Sequence, residues 1–221
     1  MSTPHATPLW HPLLPPAMVG TDKKTFEAPH APGAVGSLLG QLHAQDCSPA
    51  QALLQAAGVA AQGDAGRPFD HGAWVPLMHL FPEADLPVVQ VALPVRAGPA
   101  EVYAMGAALR DLRSQGVLVM GSGSMTHNLA EFFGGEREPA PYVLEFSRWI
   151  EQQLERGDLA VLLDYRARAP HARRAHPTEE HFLPLFFALG AAGAGAHAEY
   201  LSREVMYGML AMDSFTLDAA V

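Results

Sequence analysis

The chain has a single cysteine, Cys47, which excludes both a disulfide framework and a thiolate zinc cluster within one copy. A lone thiol suits a reducing compartment, so the cytoplasm is the expected location. Positive charge is also scarce. Lys and Arg number 14 against 23 Asp and Glu, leaving a formal charge of −9. No basic run exceeds a doublet such as Arg173-Arg174, and a general nucleic-acid binder is not expected. No apolar stretch of about 18 residues is present to span a bilayer. The N-terminus has no basic segment leading into an apolar one, so no signal peptide is expected.

What is present is a chain of 221 residues, 49% hydrophobic and 17% charged, long enough to bury a sizeable core as one domain. Histidine is the abundant special residue, with 11 copies: His5, His11, His30, His43, His71, His79, His127, His171, His176, His181 and His197. With one cysteine, any transition metal must be held by imidazole and carboxylate.

The stretch Gly116 to Leu129, GVLVMGSGSMTHNL, organises the rest. Val117-Leu118-Val119-Met120 has the composition of a strand buried on both faces. It ends in Gly121-Ser122-Gly123-Ser124, where bare backbone can approach another group closely. His127 follows. In α/β folds ligands sit beyond the carboxyl ends of strands, which makes His127 a candidate site residue.

Residues 1–36 are proline-rich and read as an irregular arm. Leu38, Leu39, Leu42, Leu53 and Leu54 suit short helices divided near Ser48-Pro49, with Ser48 able to cap and Gly58 closing the section. Residues 66–82 read as a loop leading into an apolar segment that Pro76 interrupts, and Asp70-His71-Gly72 reads as a turn. Leu86 to Leu93 reads as a second buried strand. Val102, Met105, Leu109 and Leu112 then share one helical face up to Gly116. Strand, helix and strand together predict a parallel β–α–β unit. Val143, Phe146, Ile150 and Leu154 trace another amphipathic helix ended by Gly157. In Ala175 to Gly190, Thr178 can cap a helix whose third position is His181, where the helix dipole favours the neutral imidazole that a metal requires.

Four linked motifs resemble the class III extradiol ring-cleavage dioxygenases (LigB-like), in the branch typified by 4,5-DOPA extradiol dioxygenase. They are Phe69 to Leu77, Phe81 to Gln90, Gly121-Ser122-Gly123 with His127-Asn128-Leu129, and His176 to Leu185, and the tail from Tyr207-Gly208 to Met212-Asp213-Ser214-Phe215 fits as well. The resemblance implies an α/β fold, a single domain over 37–221 with a central, mostly parallel or mixed sheet flanked by helices. It implies non-haem Fe(II), or Zn(II) as isolated, with a catechol-type substrate and O2 as the small-molecule partners. It carries a metal-ligand role onto His181 and an acid/base or additional-ligand role onto His127. His71 takes the place of a pocket histidine that bonds substrate or oxygen, and His176 is expected behind the ligands or incidental. A base near a catechol assists its deprotonation, and a facial three-ligand set leaves positions open for two substrate oxygens and O2.

The family's N-terminal ligand motif, His-Gly-Ser-Pro after a first strand, is missing here. His5, His11, His30 and His43 are the upstream candidates to complete a site. The chain is therefore expected to carry an altered site, or to be a truncated or catalytically inactive relative serving as a binding or assembly subunit. A zinc hydrolase using the same histidines is the third alternative. Neither nucleic acid nor membrane is expected as a partner, and a homo-oligomer stays open.

Overall fold

The computed structural model describes residues 47–64, 66–83, 86–132, 135 and 137–218. The arm at 1–36, together with Leu38, Leu39, Leu42, His5, His11, His30 and His43, lies outside the described residues. The described residues divide into two compact units, one of 66–83 and 86–89, the other of 47–64 and the described part of 90–218. The helices are α1 (Ser48–Ala56), α2 (His71–Leu80), α3 (Pro99–Ala108), α4 (Pro141–Arg156), α5 (Leu159–Leu163), α6 (Tyr165–Arg168), α7 (Ala172–Ala175) and α8 (Pro184–Ala192). The strands are β1 (His197–Ser202), β2 (Val205–Met206), β3 (Leu210–Ala211) and β4 (Ser214–Asp218).

In the first unit the apolar segment within 66–82, which Pro76 is expected to interrupt, is the helix α2. Asp70 caps it, Oδ1 accepting from the Ala73 N–H at 3.1 Å, so Asp70-His71-Gly72 is a cap and first turn instead of a free turn. Pro76 lies inside this helix, where it withholds one backbone donor. Burial of Trp74 and Leu77 on its apolar surface offsets that loss.

In the second unit the helical stripes behave as their spacing predicts. Val102, Met105 and Leu109 are buried, as are Val143, Phe146, Ile150 and Leu154. The first stripe is carried by α3 and then by a tighter 3-10 turn over Arg110–Gln115, stopped by Gly116 at φ 81°. α4 stops at Gly157, φ 64°. In α1 the N-cap position belongs to Cys47, with Ser48 already helical.

α3 packs on α8 with main chain against main chain. A Cβ on Gly106 would fall 1.9 Å from the Phe187 carbonyl oxygen, and one on Gly190 would fall 2.0 Å from that of Tyr103. The last carbonyls of α8 are then satisfied from the 3-10 turn: Arg110 donates to Gly190 O at 3.1 Å and Arg113 to Ala192 O at 3.1 Å.

The parallel β–α–β expectation is not met. Among the described residues the sheets are two antiparallel pairs, β1 with β4 and β2 with β3. Leu86 to Leu93 and Val117 to Met120 form no strand. Nor are they buried on both faces, for Val89 is 41% exposed and Leu118 69%. Composition marks residues suited to a strand, but a strand also needs a neighbour to receive its ladder, and composition cannot supply one.

Candidate active site

The expectation that glycines after Met120 permit a close approach is met. A Cβ on Gly121 would sit 2.1 Å from the Pro184 carbonyl oxygen, and one on Gly123 would sit 2.1 Å from that of His181. The run therefore lies directly on the backbone of the second histidine's segment. Hydrogen bonds continue the contact. Ser124 N–H donates to His181 O at 2.9 Å, and His127 N–H donates to Ala175 O at 2.8 Å. Asn128 Nδ2 donates to Arg174 O at 2.8 Å.

This antiparallel contact brings His127 and His181 together. Their rings stack with centroids 3.7 Å apart and planes 9° apart. The helix that was to begin at Thr178 begins instead at Pro184, so His181 occupies the turn before α8 and not its third position. Proline at the first helical position sets that start, since it needs no donor there. The Thr178 hydroxyl bonds Glu180 Oε1 at 2.6 Å instead of a cap amide. Glu180 Oε1 in turn lies 3.4 Å from His181 Nδ1, so a carboxylate, and not a helix end, is the polar neighbour of that ring.

β3 buttresses the loop from the other side. Met125 N–H donates to Ala211 O at 2.9 Å. The buried Thr126 hydroxyl donates to Met209 O at 2.9 Å and accepts from Ala211 N–H at 2.8 Å. His176 is fully buried, and its Nε2 meets Met125 O at 2.8 Å. A carbonyl can only accept, so Nε2 carries the proton. Burial among apolar groups pushes the His176 pKa down to about 4, keeping the ring neutral. Beyond Asn128, Glu131 forms a bidentate pair with Arg174 at 2.8 and 3.0 Å. That bond holds the Glu131 carboxyl below its ordinary range. The same guanidinium lies 4.1 Å over the Tyr142 ring.

Of the residues singled out in the sequence, His127 and His181 are thus brought together. His71 opens α2 in the other unit with an exposed side chain. Among the described residues no group of three or more His, Cys, Asp or Glu is placed to hold a metal ion. The pair supplies two imidazoles, the donor type Fe(II) or Zn(II) takes, and a third ligand would come from outside the described residues. Thr126, Asn128 and Arg174 were not anticipated. Their bonds run to backbone atoms far away in sequence, and no spacing rule announces such partners.

Two histidine rings thus stand face to face beside a glycine-paved turn. Residues 48–212 match the family model described as the catalytic LigB subunit of aromatic ring-opening dioxygenase, and the chain belongs to that family. It is 38% identical over 166 residues to a protein of Beta vulgaris named 4,5-DOPA dioxygenase extradiol, covering 75% of this chain and 62% of the relative. A protein of the same name from Escherichia coli K12 is 33% identical over 130 residues, covering 56% of this chain and 46% of the relative. The crystal structure of an uncharacterised protein from Escherichia coli K12 superposes with a TM-score of 0.66 at 28% identity, covering 76% of this chain and 70% of that one. The chain thus spans 62% of the length of the Beta vulgaris relative. No helix among the described residues is long and apolar enough to cross a membrane.

Proposed function

We propose that this chain is an extradiol ring-cleavage dioxygenase, placing both atoms of O2 into a DOPA-like or other catecholic substrate at a non-haem metal site within a domain spanning 37–221. The observation that carries the reading is the stacked His127–His181 pair inside the span that matches the family. His181 serves as a metal ligand. His127 serves as the base for a catechol hydroxyl or as an additional ligand, and His71 orients substrate or oxygen. A bound Fe(II) would supply a centre at which a catechol and O2 are held side by side, whereas Zn(II) in isolated protein would occupy the same ligands without oxygen chemistry. The protein's own contribution is positional. The 124–128 loop, fixed on two sides, offers His127 at a set distance from His181, and proton removal by a histidine so held is worth about 10²–10⁴ in rate. The same reading extends to a central, mostly parallel sheet in which Val117 and Leu118, exposed and apolar, would be paired.

Anaerobic loading with Fe(II), followed by catechol or DOPA and air, is expected to give a yellow ring-opened product. His127→Ala and His181→Ala should each lower its rate by about 100-fold or more. The absence of both bound metal and product at equivalence would reject the reading. A second reading is a non-catalytic binding or assembly subunit, favoured by the lack of a three-residue ligand set among the described residues. It requires that both alanine variants leave metal content and catechol binding unchanged.

A further inference from the structure

His176 is the group in this region that the proposed chemistry does not use. It is wholly buried between the rings of Phe146, 5.6 Å away, and Phe182, 4.8 Å away. Its Nδ1 has no hydrogen-bond partner among the described residues. An apolar side chain of similar volume would fill this space without stranding an acceptor, so packing gives no reason for an imidazole here. The reason lies at its other nitrogen. Nε2–H donates to Met125 O, and the main chain leading into His127 is held at each following residue. Met125 N–H goes to Ala211 O, the Thr126 hydroxyl to Met209 O and Ala211 N, and His127 N–H to Ala175 O. His176 itself is anchored by its own N–H to Ala172 O at 2.9 Å and by Arg166, whose guanidinium donates to His176 O.

We propose that His176 is a positioning residue: through the Met125 carbonyl it holds the loop bearing His127 in register with the turn bearing His181, so that the two rings stay stacked. It touches neither substrate nor metal and acts through the peptide it grips. This rests on the reading of His127 and His181 as the working pair, but it can be tested without turnover.

The test uses the full chain without metal, as wild type, His176→Leu and His176→Gln. Long-range proton–nitrogen spectra of the wild-type imidazoles should show His176 neutral with its proton on Nε2; a proton on Nδ1 overturns the proposal, whether or not any variant folds. His176→Leu should speed hydrogen exchange at the His127 amide by about tenfold and shift the ring signals of His127 and His181. His176→Gln, whose terminal amide can donate to Met125 O, should restore both. A leucine variant that matches wild type, or a glutamine variant no better than leucine, overturns the proposal. With metal and catechol, His176→Leu should lower kcat by about tenfold at unchanged KM. Absence of any turnover in wild type rejects the dioxygenase reading alone, because the metal-free measurements stand apart from it.

Discussion

Two regions of the second unit bury polar groups in opposite ways. In the loop at 124–128 the amides of Ser124, Met125 and His127 and the Thr126 hydroxyl have named acceptors, while Ser124 Oγ has none among the described residues, and the reach is long: Thr126 bonds residues 83 and 85 positions away. In the cleft lined by Ser147, Arg148, Tyr200, Arg203 and Asp213, about 150 Å³ in volume, the hydroxyl oxygens of Ser147 and Tyr200 have no hydrogen-bond partner among the described residues. Its Asp213 carboxyl is pushed up to about 6, chiefly by burial. Arg203 covers the cleft from one side, 4.1 Å over the Tyr200 ring and bonded to Glu151. A satisfied network fixes geometry, whereas an unsatisfied one leaves groups that removal hardly harms. The contrast assigns rigidity to the histidine loop.

The contrast is broken most directly at Gly123. Gly123→Ala drives a methyl group into the His181 carbonyl and should cost about 3 kcal/mol in chemical denaturation. A cost below about 1 kcal/mol would show that the loop yields and is not clamped. Next in size is the pH response. His176 titrates below its ordinary value, so the native state binds fewer protons than the unfolded one between about 4 and 6.5. Its contribution, about 3 kcal/mol, is present above 6.5 and lost as pH falls through about 4. Asp213 has the opposite sign. Its raised carboxyl contributes stability below 3.8 that is lost as pH rises through about 6. Solvent screening in the cleft trims the Asp213 contribution to about 1–2 kcal/mol. Denaturation midpoints of His176→Gln and Asp213→Asn across pH 4–7 should therefore diverge from wild type in opposite senses.

Thr126→Val removes a hydroxyl that serves two backbone partners and should cost about 2 kcal/mol. Ser147→Ala, which removes a hydroxyl without a partner, should change stability by no more than about 0.5 kcal/mol. Equal costs at the two positions would erase the distinction between the regions.

The helices of this fold were legible because their information is local. Val143, Phe146, Ile150 and Leu154 repeat at helical spacing, and Gly157 marks the stop. The glycines at 121 and 123 announced a close approach, but not that its object would be the carbonyls of His181 and Pro184. Val117 to Met120 forms no strand among the described residues, and composition could not name a partner for it, because pairing is a property of two segments. Pro76 argued rightly against a central strand but did not announce a helix, which continues through it with Trp74 and Leu77 buried. In the site, residue types pointed to His127 and His181, while His176 reads as either behind the ligands or incidental. Its part depends on a carbonyl 51 positions away, and no periodicity encodes that.

Main chain meets main chain where Gly121 and Gly123 cross the His181–Pro184 segment. The spacing there is set by the thickness of two peptide planes, a dimension that exchange of side chains cannot alter. Variation among relatives must therefore be taken up elsewhere around the ring pair, leaving this seam as its fixed datum.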